Sequence, residues 1–422
     1  MIPFLLYVAI FAIAFFVVRA VAAGAARNDY GSLKTVTFGD ESAVTPDRTA
    51  SVISVLTVFF MWGTFTGSSL LPQFLHMPGP FSGDTSFEYT AVDASGAEDT
   101  GTVSVIVYDS ESAPAKPEVE PGEGFATNDS AVIKKWGSGV IAVQSNDLIK
   151  KKDGAKVIAI NGTPITNGGT VEVDGGEVTL TDKGTPNFKA ATGLQMDPLY
   201  LPSPEGVWSR VLRIADEGFR NFSLWEHLGY SLFRVFVGFF FGALIGIPLG
   251  YAMGLSNWAR GWFDPIVEFM RPVPPLALIP LIIIWFGIGE NGKIILLFLA
   301  ALWIMAIAAR SGVSGVKISK VHAAYSLGAS KAQIMRHVIV PNSLPEIFTG
   351  ARVAMGVCWG TVVAAELVAA SQGAGMMIMV ASKFQLTEIV LMGIILIGII
   401  GFGIDMLMRW AESILVPWKG KG

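Results

Sequence analysis

The 422-residue sequence is short of charge, histidine and cysteine: 15% of its residues are Asp, Glu, Lys or Arg, four are His and one is Cys. Cys358, alone in an apolar run, cannot close an internal disulfide, which excludes a disulfide scaffold. A net charge of −4 supplies no basic field for a nucleic acid. Apolar residues are abundant instead. The hydrophobic set makes up 52% of the chain and the mean hydropathy is +0.54, well above an ordinary soluble domain. This is the composition of a membrane protein.

The few charges are unevenly spread. Residues 84–200 hold 18 Asp or Glu and 9 Lys or Arg. The rest of the chain is about half as dense in charge and slightly basic. An acidic, water-loving segment of domain size therefore sits inside a hydrophobic chain. Seven stretches reach the roughly 20 apolar residues that cross about 30 Å of hydrocarbon: 2–21, 50–74, 228–253, 265–287, 293–311, 345–369 and 388–410.

Lys and Arg set the orientation, because they accumulate in cytoplasmic loops. Between Arg310 and Leu344 stand Arg310, Lys317, Lys320, Lys331 and Arg336 with no acidic residue, so this loop is placed inside. The tail, with Arg409, Lys419 and Lys421, follows two spans later and is also inside. Parity then puts the 22–49 link inside and the 81–200 insert outside. Ala22, Ala23, Ala25 and Ala26 offer a signal-peptide alternative for the first helix. An uncleaved anchor fits better, because the apolar run has no positive residues before it.

The insert alternates in strand fashion, with Phe87, Tyr89, Val103, Val105 and Val107 on one parity and turns at Asp93–Gly96 and Asn161–Gly162; a β-sandwich is expected. Asn161-Gly162-Thr163 also fits a glycosylation acceptor, but Asn-Gly is foremost a hairpin turn. Asp84, Asp93, Asp99 and Asp109 show no fixed ligand spacing for calcium and read as solvated surface. Residues 110–124, rich in Pro and Glu, read as a linker. The stretches 87–109 and 160–180 resemble the closing and opening parts of bacterial cadherin-like and Ig-like repeats in reversed order, which implies a permuted sandwich.

The inner loop reads HAAYSLGASKAQIMRHVIVP from His322 to Pro341. A short helix, a break at Gly328 and a second helix returning to the membrane by Ile334, Val338 and Pro341 are expected, a shape suited to a groove on another protein. This loop resembles the EAA loop of ABC importer permeases, whose pattern is E-A-A, three residues, G, nine residues, I-x-L-P. Ala323, Ala324, Gly328 and Pro341 fall on that pattern, and His322 replaces its Glu. LPSPEGVW (201–208), LWEHLGYSLFRV (224–235), IPLGYAMGLS (247–256), DPIVEFMRPVPPLALIPLIIIWFGIGE (264–290) and GTVVAAELVAA (360–370) extend the resemblance to the taurine, alkanesulfonate and nitrate importer family, with wording nearest the taurine permeases.

The resemblance implies an all-α polytopic fold of the type I ABC importer permease kind, about seven transmembrane helices in all, interrupted by an extracytoplasmic β-rich insert. The expected divisions are an anchor and cytoplasmic link (1–49), a first family helix (50–80), the periplasmic insert (81–200) and the permease core (201–422) with a coupling loop at 317–341. It further implies a multi-pass protein of the bacterial inner membrane, a permease homodimer, two ABC ATPase subunits carrying ATP and Mg, and a periplasmic solute-binding protein. No cofactor, metal or catalytic residue is expected on this chain.

His322, Ala323, Ala324, Gly328, Ala329 and Pro341 would couple to the ATPase. In the next span Arg352, Trp359, Thr361 and Glu366 are the candidates for the solute route. Ionisable residues within spans face a cavity or one another, and Arg234, Glu268 with Arg271, and Asp405 with Arg409 read as such pairs or candidates. Gly238, Gly242, Gly246 and Gly250 at four-residue spacing permit close helix contact. Gly287 to Lys293 imitates a phosphate-binding loop, but Ile294 stands where Ser or Thr is required and no strand precedes it. A membrane-anchored adhesion protein would explain the insert but not the coupling loop. A secondary transporter would need no ATPase partner.

Overall fold

The computed structural model describes residues 2–25, 48–109, 112–122 and 124–419, so most of the 22–49 link and Lys421 lie outside the described residues. The chain divides into two compact units, Met1–Glu205 and Gly206–Gly422.

In the first unit, helices α1 (Ile2–Ala25) and α2 (Arg48–Thr66) precede nine strands: β1 (Gly83–Val92), β2 (Glu98–Tyr108), β3 (Asp129–Lys134), β4 (Ser138–Val140), β5 (Lys156–Ile160), β6 (Thr163–Pro164), β7 (Thr170–Val173), β8 (Gly176–Leu180) and β9 (Pro186–Ala190). They form two sheets, ordered β3-β2-β1-β5-β6 and β4-β9-β8-β7. The alternation expected from sequence is what builds them. Phe87, Tyr89 and Ala91 of β1 and Val103, Val105 and Val107 of β2 point into one core, where they meet Val178, Leu180 and Phe188 of the other sheet, with the Phe87 and Phe188 rings stacked at 6.1 Å.

The turns behave as their residues dictate. Asp93 folds back on itself, its carboxylate accepting from the Ser95 and Ala97 backbone N–H groups at 2.8 Å. These hydrogen bonds, with that of the Ser95 hydroxyl foremost, hold the Asp93 carboxyl below its ordinary range. Asn161 and Gly162 take φ 44 and 71, the left-handed pair of a two-residue hairpin, and join β5 to β6. Residues 112–122 carry no helix or strand.

The second unit is helical: α3 (Pro204–Glu217), α4 (Leu224–Leu255), α5 (Asn257–Met270), α6 (Ile279–Phe286), α7 (Glu290–Ser314), α8 (Ile318–Ser326), α9 (Lys331–Ile334), α10 (Val340–Ala369), α11 (Ala374–Lys383) and α12 (Thr387–Leu415); the first residues of α3 belong to the first unit. Among the described residues of the chain, five helices are long and apolar enough to cross a membrane, or six if the bent pair α5 and Pro275–Phe286 counts as one span. The stretch expected to span at 265–287 is bent: Asn257–Met270 and Pro275–Phe286 meet at 90°. Pro272, Pro274 and Pro275 lack the N–H groups that a continuous helix needs there. The described apolar stretch of α1, Leu5–Val21, is 17 residues long, below the length of the other spans.

The core is assembled by close backbone approach. A Cβ on Gly238, Gly242, Gly246 or Gly250 of α4 would strike Leu297, Ala301, the Leu302 carbonyl or the Ala306 carbonyl of α7 respectively. Gly350 of α10 meets Ala308 of α7 in the same way. This is the small-residue contact by which helices pack in lipid, where no hydrophobic gain drives their association. The opposite side of α4 carries exposed bulky residues, Phe240, Phe241, Leu244 and Ile245.

Candidate coupling segment and intramembrane charge sites

The expected helix, break and helix are present between 318 and 341. Helix α8 ends at Ser326, and Gly328 adopts φ 81, a conformation costly for any residue with a Cβ. Ser330 then caps α9: its hydroxyl accepts from the Gln333 N–H while the Gln333 side chain accepts from the Ser330 N–H, a capping box. A π-turn at Met335–Ile339 leads into α10. That extra residue per turn falls just before Pro341, which has no N–H to offer the preceding turn.

Ala324, Gly328 and Ala329, with Leu327, Gln333, Ile334, His337 and Val338, line a concavity of about 320 Å³. Ala323 and His322 are exposed on α8, and Leu327 is 89% exposed. Pro341 does not line the concavity; the Pro341 carbonyl accepts from Trp418 Nε1 at 3.0 Å. A glycine-broken surface of this kind, half apolar and half polar, is suited to present a short helix and a shallow groove to a second protein.

The route candidates on α10 do not converge. Arg352 and Glu366 lie fourteen residues apart, about 21 Å along the helix, and each is engaged elsewhere. Arg352 donates to Glu412 of α12 at 2.7 Å and lies 3.7 Å from Asp405; Lys419 reaches the other Glu412 oxygen at 2.5 Å. Trp359 Nε1 donates to the Ile397 carbonyl at 3.1 Å. Thr361 is buried.

Glu366 is buried and accepts from Arg234 Nη1 at 2.5 Å, from the Ser231 hydroxyl at 2.8 Å and from the Gly375 N–H at 3.0 Å. Arg234, also buried, spends its other edge on Glu290 at 2.6 and 2.7 Å, and Lys293 joins Glu290 at 3.0 Å. Two cations and two carboxylates thus compensate one another across α4, α7 and α10. Arg234 and Glu366, both fully buried, could not persist there as isolated charges.

The pairs expected from spacing fare unequally. Asp405 and Arg409 meet at 2.7 Å. Arg271 comes only within 3.7 Å of Glu268, whose nearer partner is Arg310 of α7 at 2.8 Å; Arg310 also pairs with Asp264. Sequence reasoning missed Ser231, His227 and Glu290. Only the presence of Glu290 and Lys293 beside a span end hinted at them. Lys293 of the phosphate-loop imitation is spent on Glu290, and Gly289 merely starts α7.

Residues 242–415 match the family described as binding-protein-dependent transport system inner membrane component. The chain is 48% identical over 235 residues, 56% of its length, to the taurine transport system permease protein TauC of Escherichia coli (strain K12), and covers 86% of that relative. The chain belongs to the ABC transporter permease family. To the putative aliphatic sulfonates transport permease protein SsuC of the same organism the permease is 38% identical over 219 residues, 52% of its own length and 82% of the relative. The methionine ABC transporter MetNI in an inward-facing form overlays 45% of the permease and 93% of its own chain at 20% identity and a TM-score of 0.38, a likeness too slight to bear on the fold. The permease is a multi-pass membrane subunit of an ABC importer, and it is not the ATP-hydrolysing subunit.

Proposed function

We propose that this permease carries taurine, or a small sulfonate close to it, inward across the bacterial inner membrane. The observation that carries the reading is the 48% identity to TauC along 86% of that protein. Alkanesulfonates come second, on the weaker identity to SsuC; nitrate is the remaining alternative within the family. Labelled taurine uptake, measured in cells with and without this chain and challenged by unlabelled alkanesulfonate and nitrate, tests it. Loss of uptake competed by taurine alone is expected. Unchanged uptake would send the search to the other anions.

In this proposal the permease works as a homodimer above two ABC ATPase subunits that bind ATP and Mg, and a periplasmic solute-binding protein loads it from outside. His322, Ala323, Ala324, Gly328, Ala329 and Pro341 form the seat for the ATPase. ATP binding draws the paired α8 segments together and rocks the spans between inward-facing and outward-facing states. Gly328→Pro should abolish uptake and ATPase co-purification while leaving the chain in the membrane. Retained uptake would remove the seat from this loop.

The orientation proposed from the basic loop needs three crossings between an outside insert and an inside 317–341. Helices α4 and α7 supply two, so the bent pair α5 and α6 must count as the third. The C-terminus is then cytoplasmic and the 81–200 insert periplasmic. Its two-sheet order is compatible with a permuted Ig-like or cadherin-like sandwich. Along α10, Trp359 and Thr361 remain the candidates to line the route, and Arg352 and Glu366 act by holding the helix in place. Trp359→Ala should change transport kinetics; unaltered kinetics would exclude it from the route.

A further inference from the structure

The short helix α11 is fastened at its N-terminus by its neighbours. A helix leaves its first N–H groups without intrahelical acceptors, and at Gly373, Ala374 and Gly375, all buried, water does not replace them. Here the N–H groups of Gly373, Ala374 and Gly375 donate to His227 Nδ1 at 3.1 Å, Ser231 Oγ at 3.0 Å and Glu366 Oε2 at 3.0 Å. His227 and Ser231 sit one turn apart on α4; Glu366 comes from α10. Because His227 Nδ1 accepts, its proton is on Nε2, which donates to the Phe219 carbonyl at 2.9 Å.

Arg234, on the next part of the same α4 face, completes the arrangement. Its Nη1 donates both to Glu366 and to the Gln372 carbonyl, the latter at 3.0 Å. The segment leaves no room to shift: a Cβ on Gly373 would overlap the Glu366 carboxylate, and one on Gly375 the Val363 carbonyl. The other end of α11 differs. Residues 382–386 are exposed, and Gln385 takes φ 56.

We propose that His227, Ser231 and Glu366, backed by Arg234, are positioning residues that latch α11 to α4 and α10, so that it travels with them through the transport cycle and does not swing as a separate gate. The saturation of Glu366 and Arg234 by protein partners supports this role over solute contact. The inference rests on the permease being an active importer, and its test is arranged to separate the two.

The test joins the latched positions covalently. In the S231C/A374C variant the one native cysteine is buried, so oxidation is directed to the new pair. The complete complex is reconstituted in vesicles, and taurine uptake and ATP hydrolysis are followed before and after oxidation. Uptake in the oxidised form equal to or above that of the reduced form is expected, because the bond only replaces the latch. Oxidised uptake that falls and returns with dithiothreitol overturns the proposal, and for a pair that does not oxidise the Ser231→Ala and Ser231→Thr arm decides.

Hydrolysis without taurine uptake in the wild-type complex would overturn the choice of solute, and the latch is then read from the hydrolysis rate. In a second arm, Ser231→Ala should lower the maximal uptake rate severalfold at unchanged KM, and Ser231→Thr, which keeps the hydroxyl, should restore it. A raised KM with the maximal rate intact would make Ser231 a solute contact and overturn the positioning role.

Discussion

The insert and the helical core both bury large side chains, but only the core brings backbones together through small residues. In the β-rich insert the large side chains are inside: Phe87, Tyr89, Ile160 and Phe188 are at most 2% exposed. In the core Gly238, Gly242, Ala301, Ala306 and Ala309 let the helix backbones approach beside buried Leu297, Met305 and Met355, while Phe240, Trp262 and Trp410 face outward. Water rewards hiding apolar area. Lipid does not, so helices associate where backbones come close enough for dispersion and polar contacts. One chain therefore obeys two packing rules.

The contrast can be broken most severely at the helix contact. Gly242→Leu would drive a side chain into Ala301 and the Phe298 carbonyl of α7, and a helix pair cannot yield as a side chain can. No folded permease should be recovered from the membrane; normal yield would refute the contact. Arg234→Ala removes the partner of a buried Glu366, at a cost of about 3–5 kcal/mol. Thermal melting of the purified chain checks it, and Arg234→Met combined with Glu366→Leu should recover much of the loss.

On the insert side, Phe188→Ala should cost about 3–5 kcal/mol of that domain's stability, read as a lowered unfolding transition with the helical signal retained. A further test concerns charge. Burial first, and the neighbouring Asp147 second, push the Asp129 carboxyl up to about 7; its Oδ2 and that of Asp147 are buried without hydrogen-bond partners. A carboxyl raised above its unfolded value of roughly 4 favours the protonated fold. Its stabilisation is full below pH 4 and is lost as the pH rises to 7. Asp129→Asn should therefore stabilise the insert at pH 8 and make no difference near pH 4. Melting curves showing the reverse would sink the assignment.

The smallest effect is expected at the hairpin. Gly162→Ala at φ 71 should cost about 1 kcal/mol, since nothing lies within 4 Å of an added Cβ.

Much of this was legible in advance where the pattern is local. The Asn161-Gly162 turn, the alternation in β1 and β2, and the break at Gly328 follow from residues a few positions apart. The spacing of Gly238 to Gly250 likewise announced the helix contact. Where the reading failed, the determinants were remote. Apolar length alone marked a span at 265–287 and said nothing of the 90° angle between Asn257–Met270 and Pro275–Phe286, which follows from packing around the prolines between them. Arg352 and Glu366 were read as route candidates from their place on one span, and spacing gave no sign of their partners on α12 and α4.

Hydropathy, charge bias and turn spacing by themselves determined that the chain is a multi-pass membrane protein with an acidic insert and a glycine-broken basic loop, because each is written in a short-range period or a composition. The tertiary structure alone decided that Glu366 meets Arg234 from 132 positions away. It also decided that three N–H groups of α11 find acceptors on two other helices. A charge or an N–H group is satisfied by whatever lies within about 3 Å, and that neighbour is chosen by packing, which no linear pattern records.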